Sequence, residues 1–221
     1  MNEIMAKESI ENVIKAVTKS AFEQIGKVYQ SRQEGKNMCY DSNIKTRLIF
    51  PHYSTIPRKE NEEIKIRVSE QELKFIFIEE FNRYCDKNKR KDLFYSVETP
   101  TVYKYSFGDK KNPCRDDEHG QSAMVDLSIH DKDLKRVALI EFKALNPEEF
   151  CFHKDFVKLT EESKDNDLLT FFIMMVEGSQ QKTLNSIHEK ILTKDSNTNF
   201  ICYCLKKQDV IIEDPRPTKI Q

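Results

Sequence analysis

Apolar positions repeat with a helical period in some stretches of the chain and with a period of two in others. Ile10, Val13, Ile14, Val17, Ala21 and Phe22 fall three and four residues apart, which predicts one amphipathic helix from residue 1 to about residue 30. Residues 31–66 are polar and irregular around Leu48-Ile49-Phe50-Pro51. A second helix is predicted from Ser69, whose hydroxyl is expected to accept from the free backbone amides, with Glu70 and Glu72 at the positive end of the dipole. Leu73, Phe75, Ile76, Ile78, Phe81 and Tyr84 give it a broad apolar surface, and Lys87, Lys89, Arg90 and Lys91 close it with a basic cluster. That cluster is either a solvated helix end or a phosphate-contacting rim.

Strand patterns follow. A long one runs from Phe94 through Val97 and Val102 to Phe107, and Pro100 predicts a bend or an exposed edge within it. Val125-Asp126-Leu127 and the run Val137 to Lys143 are short, aliphatic and bounded by polar segments, so they read as two strands of a hairpin. Pro147-Glu148-Glu149 opens a third helix, with Phe150, Phe156, Val157 and Leu159 as its apolar stripe. Residues 168–176 are continuously apolar, the pattern of a strand buried on both faces, with a short buried helix as the alternative. A helix over about 180–192, a strand over 200–205 and an edge strand at Val210-Ile211-Ile212 complete the order. Strands interleaved with helices predict an α/β domain with a mixed sheet, over about residues 67–221, behind a helical arm and irregular extension at 1–66. The arm is expected first to pack on its own chain, with a homodimer interface or a partner-docking helix as the alternatives.

Composition narrows the function classes. The 221 residues suffice for one domain with a substantial core. Five Gly and no match to G-x-x-x-x-G-K or G-x-G-x-x-G make a glycine-rich phosphate loop improbable. A net charge of −1 excludes a wholly basic polyanion binder, so any nucleic-acid surface must come from segregated charge. The six cysteines form no C-x-x-C pair and are expected to be reduced structural thiols rather than zinc ligands. No apolar run reaches membrane-spanning length and no signal-peptide core is visible, so a soluble, cytoplasmic protein without a membrane partner is expected.

The candidate chemistry lies on the hairpin. If its turn is centred on Asp133 and Leu134, Asp126 falls opposite Glu141. Alternation along the strand puts Glu141 and Lys143 on one face and Ile140 and Phe142 on the other. One sheet face is then expected to carry Asp126, Glu141 and Lys143. Opposed carboxylates repel, so the arrangement calls for a cation, and Mg2+ or Mn2+ beside an ammonium suits phosphodiester hydrolysis. Charges within Leu139-Ile140-Glu141-Phe142-Lys143-Ala144 are costly for a purely structural strand, although Glu-x-Lys is also common on solvated faces. Lys154 and Lys158, four apart on the third helix, are expected to contact a substrate backbone. The polar loop 108–120, with Lys110, Lys111, Arg115 and His119, is expected to be a mobile, substrate-facing loop, disorder being the alternative.

With Asp126 on one hairpin strand and Glu141-Phe142-Lys143 on the next, the chain resembles the PD-(D/E)xK phosphodiesterase superfamily, the restriction endonuclease-like nucleases. Residue 125 is Val where the motif's name has Pro. Glu70-Gln71-Glu72-Leu73 is similar to the E-x-E-L opening of archaeal junction-resolving members, which makes Glu70 the helix-borne glutamate and Glu72 the fallback. The resemblance covers about residues 69–177. It implies an αβββαβ core with a mixed sheet flanked by helices and an N-terminal helical extension. It also implies a metal-dependent nuclease acting on nucleic acid, with DNA favoured over RNA, and by fold analogy a place in bacterial defence, restriction or mobile-element maintenance. Asp126, Glu141 and the Phe142 backbone carbonyl are the implied metal ligands, Lys143 the implied water-orienting or charge-stabilising group, and Glu70 the holder of a second metal or a metal-bound water. The alternative is an inactive nuclease-fold module that binds nucleic acid or a protein.

Overall fold

Residues 168–176 carry no charged side chain, and in the computed structural model every residue of the strand they form, β5 (Leu169–Val176), is buried. The structure describes residues 2–34, 41–51, 66–108, 114–145, 147–164, 168–178, 185 and 198–213. β5 lies between two parallel neighbours, β4 (Arg136–Ala144) and β6 (Thr198–Cys204), and so has both edges paired and both faces covered. Beyond β4 come β3 (Gln121–His130), β1 (Phe94–Ser106) and β2 (Cys114–Arg115), all antiparallel. Beyond β6 lies β7 (Asp209–Glu213), also antiparallel. The result is one mixed sheet of seven strands in the order β2-β1-β3-β4-β5-β6-β7. The α/β expectation is met. The helix expected over 180–192 lies outside the described residues.

Helices cover both faces. α1 (Asn2–Gln33) and α2 (Glu70–Lys87) pack on one side, where Ile14, Phe22, Leu73 and Phe77 meet Ile140, Phe142, Phe171 and Ile173. α3 (Glu149–Lys164) lies on the other, where Phe152, Phe156 and Leu159 meet Leu139, Phe172, Met174 and Phe200. The expected alternation along β4 is therefore observed, with Ile140 and Phe142 facing α2 while Leu139 faces α3.

One expectation about the helices is met and one needs correction. From Ile10 onward the apolar stripe of α1 is buried in the same core as α2 and the sheet, and Ser20 donates to Glu80 of α2 at 2.6 Å. The own-chain packing expected first of this helix is thus observed. α2 buries a narrower stripe than expected. Leu73, Ile76, Phe77 and Phe81 face the core, whereas Phe75 is exposed. No described helix is long and apolar enough to cross a membrane.

The bend expected near Pro100 is present, because the β1–β3 register shifts between Pro100 and Lys104. The backbone N–H groups of Val102 and Tyr103 turn away to Glu162 of α3, at 3.0 Å each, and the Tyr105 hydroxyl donates to the same carboxylate at 3.0 Å. A fully buried acid on α3 thereby fastens the bent strand to the helix layer. Part of the loop expected over 108–120 is ordered instead, since Arg115 pairs with Tyr105 and sets its guanidinium over the Tyr103 ring, 3.4 Å from the centroid. Lys110 and Lys111 lie outside the described residues.

The burial of α1 gives a direct test. Ile14→Ala is expected to lower the unfolding free energy by about 2–5 kcal/mol, read from urea denaturation. A change of only a few tenths would show a helix detached from the core.

Candidate metal centre

Pairing between β3 and β4 matches the register expected from the sequence: Leu127 opposes Ile140, Ser128 opposes Leu139 and Ile129 opposes Ala138. One step further, this register sets Asp126 opposite Glu141. The pairing stops short of that step, and the Asp126 carboxylate accepts the backbone N–H of Phe142 at 2.9 Å. A side chain has taken the place of a ladder acceptor, and the two strands part here.

β1 shows why they part at this position. Val97 opposes Leu127 and Thr99 opposes Val125, so Glu98 stands beside Asp126, and Glu98 has a φ of +46°, rare for a non-glycine residue. Across this kink the side chains change sides. Val125 joins the α3 core, whereas Leu127 and Ile129 join the α2 core. Asp126 sits at the crossover. The expectation of one sheet face bearing all three charged residues is corrected accordingly. Glu141 and Lys143 point toward α3, while Asp126 occupies the fork, with its second oxygen 3.5 Å from Lys74 of α2.

The charges around the fork form a chain. Glu141 is buried and meets the Lys158 ammonium at 2.5 Å. Lys158 also lies 2.9 Å from Asp155 and donates to the Met124 carbonyl at 2.6 Å. Asp155 in turn meets Lys143 at 2.7 Å, and Lys143 reaches Glu70 in the first turn of α2 at 3.3 Å. Lys74 lies 2.5 Å from Glu98. Glu141 Oε1 and Asp155 Oδ2 touch ammoniums without hydrogen-bond geometry and are otherwise unsatisfied. Five carboxylates (Glu70, Glu98, Asp126, Glu141 and Asp155) share three ammoniums (Lys74, Lys143 and Lys158).

Burial and the neighbouring charges together shift the proton affinities. Burial, with Asp155 and Asp126 nearby, pushes Glu141 well above the ordinary carboxylate range despite Lys158. Burial also disfavours charge on Asp155, but Lys158 and Lys143 hold its carboxyl below the usual range. Lys143 is desolvated, yet Asp155, Glu70 and Glu141 raise its pKa. It therefore stays an ammonium.

The structure separates the two α2 glutamates. The Glu72 carboxylate takes both the backbone N–H and the hydroxyl of Ser69, as part of a capping box at the start of α2. Glu72 is a cap, and Glu70 is the one that joins the site. Lys158 is only 4 % exposed and paired to two acids, so the expectation that it touches a substrate backbone is corrected. Lys154 is half-buried, 5.9 Å from the Phe107 ring centroid. His119 stays exposed beside Asp116 and takes no part in the site. Asp155 was missed, although it carried a signal. With Phe152, Phe156 and Leu159 it falls at helical spacing on the buried stripe, where an unpartnered acid would be costly.

Carboxylates are the right donors for a hard divalent ion, and Asp126 and Glu141 flank the fork. The Phe142 N–H points toward β3, and the carbonyl of the same residue points to the same edge. Among the described residues no three acidic, imidazole or thiolate groups converge closely enough to form a complete cage. A metal here would use two acids and a backbone carbonyl, and Lys158 now claims one of those acids.

Glu141 also makes a stability prediction. Its raised pKa means that the folded state holds this proton more tightly than the unfolded chain, so its contribution falls as pH rises above the ordinary carboxylate value. The stability of Glu141→Gln relative to the native chain is therefore expected to shift in the variant's favour as pH rises from about 4 to about 7 without metal, because the variant has no such proton to lose. Thermal melts across that range check it, and a difference that stays constant with pH would show that Glu141 titrates as an ordinary carboxylate.

No protein-family model, curated protein or solved structure matches the chain.

Proposed function

We propose that the chain is a divalent-metal-dependent nuclease with a restriction endonuclease-like core, of the PD-(D/E)xK kind, that hydrolyses phosphodiester bonds with DNA as the expected substrate. One observation carries this reading: the β3–β4 fork gathers Asp126, Glu141 and the carbonyl edge of Phe142 beside the Lys143 ammonium. Asp126, Glu141 and the Phe142 carbonyl would hold Mg2+ or Mn2+. Such an ion supplies Lewis acidity at the scissile phosphate and a more acidic bound water.

The protein's own groups supply the rest. Asp155 at 2.7 Å and Glu70 at 3.3 Å favour the charged form of Lys143. This lysine serves as a fixed positive charge that orients the water or offsets charge on the phosphate. Asp155 and Glu70 hold that ammonium from opposite helix layers, which makes both of them positioning residues. The Asp126–Phe142 hydrogen bond keeps the fork open by engaging an N–H that would otherwise seek the β3 backbone.

A second reading has one observation of its own. The Lys158 ammonium already neutralises Glu141, as it would in a nuclease-fold module that binds nucleic acid or protein without turnover.

Cleavage of supercoiled plasmid, linear duplex, single-stranded DNA and RNA separates the two. With Mg2+ or Mn2+, hydrolysis is expected, lost in EDTA, and reduced by about 10²–10³ in Lys143→Ala and at least as far in Asp126→Ala, with both variants still folded. Affinity for nucleic acid without cleavage in any metal would establish the binding module.

A further inference from the structure

Lys158 rises from α3 into a closed nest of oxygens: Glu141 Oε1 at 2.5 Å, Asp155 Oδ1 at 2.9 Å and the Met124 carbonyl at 2.6 Å. Two carboxylates and a backbone carbonyl are the donors a hard divalent cation takes, and here an ammonium has them. Met124 lies two residues before Asp126 on β3, and Glu141 lies next to the Phe142 carbonyl on β4. The lysine therefore sits against the same fork as the proposed metal ligands. A single positive charge neutralises Glu141 only in part, because Asp155 draws on the same ammonium.

We infer that Lys158 is a resident counter-ion that competes with the divalent metal for Glu141, and that metal binding moves its ammonium off Glu141 while Asp155 and the Met124 carbonyl retain it. The inference rests on the metal-dependent reading above. A matching arrangement on the opposite face supports it. Lys74 lies 3.5 Å from Asp126 but 2.5 Å from Glu98, so it too has a second acid to hold it when Asp126 is engaged elsewhere. Each proposed metal-binding acid thus has a lysine, and each lysine has a further acid that is not a metal ligand. The metal-free fold avoids bare buried carboxylates, and the metal meets a site that gives up a monovalent charge in exchange for a divalent one.

An ordinary structural ion pair makes the opposite forecast, since removing one partner should disorder Glu141 and weaken any metal site. The test is calorimetric titration of Mn2+ into the full chain and its Lys158→Gln variant, which keeps an amide donor for the Met124 carbonyl. The variant is expected to bind Mn2+ about tenfold more tightly or better, and Glu141→Gln/Lys158→Gln to lose that gain. Binding by the variant alone would equally support a lysine that fills the site. Equal or weaker binding by the variant, with the native chain binding normally, would overturn the competition and leave the metal reading standing. Absence of Mn2+ binding in both proteins would remove both. A second measurement needs no variant. The protected ammonium of Lys158 is expected to shift its ¹H–¹⁵N NMR signal when Mg2+ saturates the native chain, and an unmoved signal at saturation would contradict the exchange.

Discussion

Asp126 occupies the place of a backbone acceptor. By taking the Phe142 N–H at 2.9 Å, it ends the β3–β4 pairing without leaving a buried donor unsatisfied. Most of the site depends on that substitution. The fork lets the strands part, turns the Phe142 carbonyl into a free edge and brings Asp126 beside Glu141. The sharp kink at Glu98 and the crossover of Val125 to the opposite core are the structural counterparts on the neighbouring strand. Unusual backbone of this kind persists where the surroundings over-determine it, and here α2 and α3 press on the sheet from both sides.

The buried charges follow from the same geometry. Once Glu141 and Lys143 point into the α3 layer, the helix must answer them, and Asp155 and Lys158 do so three residues apart on its buried side. Each ion is paired. Glu70 and Glu98 reach solvent, so the buried part of the network sets Asp126, Glu141 and Asp155 against Lys74, Lys143 and Lys158. Burial, before neighbouring charge, raises the proton affinity of Glu141. Lys143 lies between Asp155 and Glu70, and their charges raise its proton affinity despite its burial.

Much of this was legible in the sequence because it rests on strand periodicity. The apolar run of β5, the hairpin register and the shared face of Glu141 and Lys143 all follow from short-range pattern. The position of Asp126 did not, because alternation assumes a regular strand and the kink at Glu98 breaks it. Lys158 was read as a surface lysine because Lys154, one turn earlier, shares its face, whereas the packing of α3 buries one and not the other. Asp155 was readable in principle as an acid on an apolar stripe. So was Glu162, which falls on the same stripe and holds β1. Polar residues on a buried helix face were the signal most easily overlooked. The fork itself needed three strands in register before it could be seen.

The decisive measurement is the anomalous scattering of manganese in crystals of the full chain grown with Mn2+. A bound ion is expected at the β3–β4 fork, roughly 2.2 Å from carboxylate oxygens of both Asp126 and Glu141, with the Lys158 ammonium withdrawn from Glu141. Crystals at the same Mn2+ concentration that show no ion at the fork, with Lys158 still on Glu141, would contradict a metal-dependent site and leave an internally neutralised binding module.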